Sequence, residues 1–286
     1  MKKYLVLRNA FTMLELIFVI IILGIVSSIG AEIIAKTYEG YIIQRAQHRA
    51  SIKTELVATQ IANRLAYAIP GTVVRRSNLT TASEDINVNT LTDHNILQWV
   101  GADADSFNAV SSAAADTTAA ATPPLPGWSG FCDVDASTTA SISTPGSNLT
   151  LTTTIRTNLG LTAANPQIYF PAKSGLVSAP VTLPLANPIG LSASTVKIVE
   201  HYKLATSSYA LVADGDLTLY YNFTPQRGVA IPTTTKELLL RNVSTFEFRG
   251  DGRTIRFKLC VDEDIGETKA DGTPDPITIC KEKAVF

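Results

Sequence analysis

Hydrophobic positions come first as a block and then as a period. From Leu14 to Ile29 nearly every residue is Leu, Ile, Val or Phe, and only Glu15, Gly24, Ser27 and Ser28 interrupt the run. The 21 residues from Phe11 to Ala31 are enough to cross about 30 Å of hydrocarbon as a helix rising about 1.5 Å per residue. Beyond Ala31 the block becomes a stripe. Ile43, Ala46, Ala50, Val57, Ile61, Leu65 and Ala68 recur at steps of three, four or seven, while Glu39, Lys53, Glu55 and Arg64 lie off it. That spacing lines one face of a helix. Between Ala31 and Ile69 there is no proline and Gly40 is the lone glycine, and Pro70-Gly71 is a stop signal. The pattern predicts a near-continuous helix from Phe11 to Ile69, about 90 Å long.

After Pro70 the pattern changes. Residues 101–154 are rich in Ala, Ser, Thr, Asp and Pro, which reads as long surface loops and insertions. Within them Gly127-Trp128-Ser129-Gly130-Phe131-Cys132 is the expected anchor of loop aromatics on the core. The second half alternates apolar, β-branched and aromatic residues with polar ones, as strands do. Strands are predicted at 196–205, 208–214, 217–223, 243–248, 253–261 and 277–286. Asp214-Gly215 is the expected turn of one hairpin, and Arg249-Gly250-Asp251-Gly252 that of a second. Phe246 and Phe248 share one face, as do Ile255, Phe257 and Leu259. These elements make the fold class α+β: a long N-terminal helix packed on an antiparallel sheet.

Composition narrows the function more than it names it. Charged residues make up 17% of 286, with a net charge of −1, so no electrostatic footprint for nucleic acid or anionic surfaces is evident. His48, His94 and His201 stand far apart, without Cys or acids at metal-ligand spacing. No nucleophile elbow, phosphate loop, dinucleotide fingerprint or zinc motif occurs. The sequence therefore offers no motif from which catalytic residues or a cofactor site could be named. The three cysteines, Cys132, Cys260 and Cys280, fit one disulfide and one spare thiol.

The N-terminus carries the most specific signal. Met1 to Ala10 holds Lys2, Lys3 and Arg8 and no acid, which keeps such a leader on the cytoplasmic side. Glu15 is set into the apolar run, where an ionised carboxylate costs a few kcal/mol, on the order of 3. A cleaved secretory signal ending before Ala31 leaves that charge unexplained. A plain single-pass anchor explains it only by snorkelling. The stretch Ala10-Phe11-Thr12-Met13-Leu14-Glu15-Leu16 resembles the class III signal of type IV pilins and type II secretion pseudopilins, although the family more often has glycine where this chain has Ala10. The resemblance implies cleavage between Ala10 and Phe11 by a prepilin peptidase, and N-methylation of Phe11. It also implies an assembly role for Glu15, whose carboxylate would meet the N-terminal amine of its own or a neighbouring subunit.

On this resemblance the chain divides into a leader (1–10), a transmembrane helix (11–31), its amphipathic continuation (32–70) and a globular head (71–286) with a loop-rich insertion at about 101–154. It implies a minor subunit, J-type pseudopilin-like or W-type minor pilin-like, with the head periplasmic and the anchor in the inner membrane before entry into a filament. The partners implied are other pilin or pseudopilin subunits, the prepilin peptidase and the assembly platform. A tip adhesin or DNA-uptake subunit is the alternative, and a secreted or anchored enzyme the remote one. In an oxidising compartment a Cys260–Cys280 bridge is expected, with Cys132 pairing to either as the alternative. The acidic segment 262–275 reads as a solvated hairpin loop, with calcium binding as the alternative.

Overall fold

The computed structural model describes residues 12–80, 82–88, 94–111, 123–162, 164–171, 177–192, 197–266 and 275–286. It is α+β. The chain divides into two compact units, Met1–Arg49 with Glu263–Ile277, and Ala50–Asp262 with Thr278–Phe286.

Helix α1 (Met13–Leu65) runs 53 residues without a break. Within the larger unit it buries Ala50, Thr54, Val57, Ala58, Ile61 and Leu65, the predicted stripe with two additions. Thr54 escapes a hydrophobic count, but its hydroxyl donates to the carbonyl of Ala50 at 2.7 Å, so nothing polar is left unpaired on the buried face. Ile43 and Ala46 are only half-buried. The helix stops four residues before the predicted end. Tyr67 and Ala68 donate three residues back, to Arg64 and Leu65, and the backbone is then captured by a sheet edge: Ile69 N donates to Val100 O and Ala102 N to Tyr67 O, both at 2.9 Å. Strand pairing outcompetes a last helical turn.

The chain then lays down β1 (Val74–Arg76), β2 (Glu84–Asp85), β3 (Ile96–Ala102), α2 (Ala104–Asn108), β4 (Asp133–Thr138), β5 (Ser141–Ser143), α3 (Leu149–Asn158), β6 (Gln167–Phe170), β7 (Val177–Pro180), β8 (Ile189–Gly190), β9 (Lys203–Asp214), β10 (Asp216–Phe223), β11 (Lys236–Leu240), β12 (Val243–Asp251), β13 (Thr254–Glu263) and β14 (Ile277–Val285). The main sheet has the order β11-β10-β9-β3-β1-β2, with β6 joined to β9 and β7 to β6. Its pairs are antiparallel, with β3 clasped between β1 and β9. A second sheet is β12-β13-β14 and a third β4-β5-β8.

The strand predicted at 196–205 begins only at Lys203, and it runs on through 208–214 as a single strand, β9. The polar run Thr206-Ser207-Ser208 looks like a break, yet it lies mid-strand in β9 and is buried. Ser208 Oγ donates to Thr224 O at 2.8 Å, and Ser207 Oγ accepts from Asn222 N at 2.9 Å. With the hydroxyls satisfied, burial no longer carries the penalty of an unpaired polar group. Gly215, at φ +70°, turns β9 into β10 at the expected Asp214-Gly215 position. The second hairpin closes more tightly than predicted: Arg249, Gly250 and Asp251 belong to β12, and the turn is Gly252-Arg253 with Gly252 at φ +61°.

The main core joins α1 to two sheets. Val57, Ala58, Ile61 and Leu65 pack with Trp99, Leu211 and Leu219 of the large sheet and with Phe246, Phe257 and Leu259 of the second. A fully buried aliphatic or aromatic side chain contributes about 1.5–3 kcal/mol. Gly101 is required here, because a Cβ would stand 2.6 Å from the Tyr209 ring. Polar contacts fix the register at the other side of the helix. Lys283 Nζ lies 2.5 Å from Glu55 Oε1 and 3.2 Å from Thr59 Oγ1, and Lys281 Nζ lies 3.6 Å from Glu55 Oε2. The hydrogen bond from Lys283 holds the Glu55 carboxyl below its usual range.

The reading of 101–154 as loops is corrected in part: its described residues include α2, β4, β5 and the start of α3, joined by stretches of irregular backbone. The segment supplies Trp128, Ile142 and Leu149 to a second core with Ile168, Phe170, Ile189 and Leu204. The reason is polar self-satisfaction. Asn148 caps α3 by accepting from Leu151 N at 3.2 Å. Thr144 Oγ1 lies 2.7 Å from both Ser147 Oγ and Tyr202 Oη. A Ser/Thr-rich segment can pack when its hydroxyls partner one another. Trp128 is buried and its Nε1 donates to Asp103 O at 2.9 Å, as expected of the anchor, whereas Phe131 is 39% exposed.

Cys260 and Cys280 are bonded, closing a separation of 20 residues, and Cys132 is a buried free thiol. Replacing both bonded cysteines by serine is expected to lower the unfolding free energy by about 3 kcal/mol, the chain-entropy value for such a loop. Urea titration with and without reductant measures it, and an unchanged midpoint would contradict it. A second prediction concerns Asp103, which caps α2 by accepting from Ser106 N at 3.0 Å. Burial pushes its carboxyl above the usual range. The folded state thus holds this proton more tightly than the unfolded chain. Its contribution to stability is complete below about pH 4 and is lost as pH rises through the raised folded value. Asp103→Asn keeps a capping oxygen without the charge. It should melt higher than wild type at neutral pH, with the gap closing at about pH 3; a gap independent of pH would contradict the assignment.

Candidate functional site: the first turn of helix α1

Ala10 and Phe11 lie outside the described residues, so the structure places one of the three N-terminal candidates, Glu15. It sits in the first turn of α1. Its backbone N donates to Thr12 Oγ1 at 3.3 Å, and Leu16 N donates to Thr12 O at 3.2 Å. This is one half of a capping box, with Thr12 as the cap and Glu15 at the third helical position. Sequence reasoning missed that local role, although Thr12-x-x-Glu15 is itself the signal. A carboxylate in a first turn also faces the positive end of the helix dipole, a favourable contact of about 0.3–1 kcal/mol when exposed.

The apolar run beyond Glu15 is uncovered. Leu16 to Leu23 are each about half exposed or more, from 49% for Ile17 and Val19 to 63% for Leu23. None of the most apolar window of α1 is buried by the chain itself, and α1 is long and apolar enough to cross a membrane. An apolar surface of this extent is of the kind that lipid or other helices cover.

The remaining candidates separate. Cys260 and Cys280 come together as a disulfide. Of the acidic segment 262–275, Asp262 Oδ1 accepts from Thr278 at 2.7 Å and Asp264 Oδ1 accepts from Gly266 N at 2.8 Å. Arg49 Nη1 lies 3.9 Å from Glu263. Glu267 and Asp271 fall outside the described residues. Among the described residues no group of three His, Cys, Asp or Glu is placed to hold a metal ion.

The larger unit also carries two adjoining hollows that sequence reasoning did not find. One, of about 410 Å³, is lined by Gln60, Asn63, Arg64, Asp105, Thr206 and Tyr209. The other, of about 330 Å³, is lined by Phe107, Trp128, Pro171, His201, Tyr202 and Lys203. Tyr67, Ala102 and Ala104 border both. These residues come from α1, β3, α2, β9 and intervening loops, so no local spacing could have announced them. The Arg64 guanidinium stands 5.7 Å from the Tyr209 ring centre, and Phe107 packs on Trp128 at 4.7 Å between centres. Burial pushes the Tyr202 and Tyr209 phenols above their usual range, so both stay neutral at physiological pH.

Comparison of the chain with protein-family models, with curated proteins and with solved structures gave no match.

Proposed function

We propose that this chain is a minor subunit of a pilin-like filament, a type II secretion pseudopilus or a type IV pilus, and that it acts by assembly rather than catalysis. The observation that carries the reading is a single carboxylate, Glu15, in the first turn of a helix whose apolar stretch beyond it is left uncovered by its own chain. Prepilin peptidase would cut between Ala10 and Phe11. The new amine, methylated but still cationic, would lie one helical turn before Glu15. In the membrane this carboxylate can meet its own amine. In a filament it meets the amine of the neighbouring subunit, and the cost of leaving either charge unpaired in an apolar medium drives docking in register. The α+β larger unit, with its disulfide, suits a periplasmic head. The size of that head and its inserted second core fit a minor subunit that primes assembly better than a repeating major one.

Two experiments test the reading. Intact mass of the membrane-extracted protein is expected to give a chain that begins at methylated Phe11; a start at Met1 or Ala31 would overturn it. Glu15→Val should insert normally but lose filament incorporation on the order of a hundredfold, the equivalent of about 3 kcal/mol for an unpaired buried charge. Glu15→Gln separates charge from capping, because Gln serves a capping box as well as Glu. It should fail as Val does; wild-type incorporation of the Gln variant would remove the docking role assigned to the charge.

A further inference from the structure

The two adjoining hollows differ in chemistry in a way that specifies a ligand. The smaller is walled by rings, and its rim is open: Phe107 is 45% exposed and Tyr67 50%. The larger presents two amides, a guanidinium and two carboxyl groups, those of Asp103 and Asp105. Gln60, Asn63 and Asp105, together with Lys203 at the far rim, make no side-chain hydrogen bond within the chain among the described residues. Their donors and acceptors are available to a ligand. Flat apolar faces beside convergent polar groups are the general make-up of a small-molecule site, and both volumes lie within the usual range of about 300–1,000 Å³.

We propose that this double hollow binds a neutral carbohydrate, with one sugar ring stacked on Phe107 and Tyr67 and the hydroxyls of the next held by Asn63, Gln60 and Asp105. Three features select this class. A pyranose has an apolar C–H face and an edge of hydroxyls, and the site offers an aromatic face next to a polar edge. Each sugar hydroxyl both donates and accepts, and so does each side-chain amide, whereas a purely cationic or purely anionic wall would match only one half. The hollows set Arg64 and Lys203 against Asp103 and Asp105, with no excess of positive charge. A nucleic acid needs an excess of Lys and Arg along its path, and so does a polysulfated glycan. An extended peptide adding to a sheet needs a free strand edge, and here the bordering end of β3, residues 101–102, is paired to β9 on one side and to residues 67–69 on the other. The inference stands on the larger unit alone and does not rest on the filament reading.

The test uses the full chain in nanodiscs, since maltoside and glucoside detergents would themselves occupy the site. Saturation-transfer NMR and calorimetry would be run against maltose, cellobiose, lactose and a chitin trisaccharide. A sialylated trisaccharide, a heparin hexasaccharide, an oligothymidine and a proline-rich peptide serve as contrasts. At least one neutral sugar should bind with a Kd on the order of millimolar, changing less than about twofold between low and high salt. Phe107→Ala and Asn63→Ala should each weaken binding about tenfold or more; Asn63→Ala, at an exposed side chain, should do so without shifting the melting temperature, whereas Phe107→Ala also loses its contact with Trp128. Val134→Ala, an exposed site remote from the hollows in sequence, should bind as wild type. The inference is overturned if no neutral sugar binds, if binding survives both substitutions, or if the chain takes only the anionic probes or the peptide.

Discussion

Val57, Ala58, Ile61 and Leu65 enter a core built from two sheets at once, and most of the larger unit is arranged around that burial. The large sheet presents Trp99, Leu211 and Leu219 to the helix, and the β12-β13-β14 sheet presents Phe246, Phe257 and Leu259. The helix thus gives both sheets a common packing partner. The Lys281 and Lys283 contacts to Glu55 then select the rotation of the helix, and the Cys260–Cys280 bond keeps β14 beside the strand it pairs with. Hydrophobic burial brings the elements together, and the ion pairs and the covalent bond choose among the arrangements that burial would tolerate.

The same helix shows how far sequence can be read. Its continuity, its buried stripe, the α+β class and the last three strands were legible because periodicity is a local property and the tertiary fold agrees with it. The illegible parts turned on polar residues whose partners are remote in sequence. Ser207 and Ser208 looked like a strand break until Asn222 and Thr224 were brought to them. Thr144 and Ser147 read as solvated loop; they are loop, but Tyr202 closes their network and Thr144 is buried. A composition count treats a hydroxyl as a vote for solvent, but a hydroxyl with a partner is neutral towards burial. The early end of α1 has a similar origin, because the competing hydrogen-bond acceptor, Val100 O, lies 31 residues away from Ile69.

For the candidate site the balance is reversed. The features around Glu15 are local: a cap at Thr12, a carboxylate three positions on, then an apolar run. All of it is written in consecutive residues. The hollows at Tyr67 are the opposite case, assembled from separate stretches of chain, and only the folded molecule brings them to one place.

Cys132 gives the second core a property of its own. The thiol is buried at 1% exposure beside Ser137, and burial pushes its pKa upward, so in the closed state it is both shielded and protonated, and thiolate reactivity is suppressed twice over. The other two cysteines are locked in a bond near the end of the sequence and are silent to alkylating reagents. The chain thus contains a single chemical clock. The rate at which Cys132 is alkylated counts every opening of the core that holds Trp128, Ile142 and Leu149, whether local or part of wider unfolding.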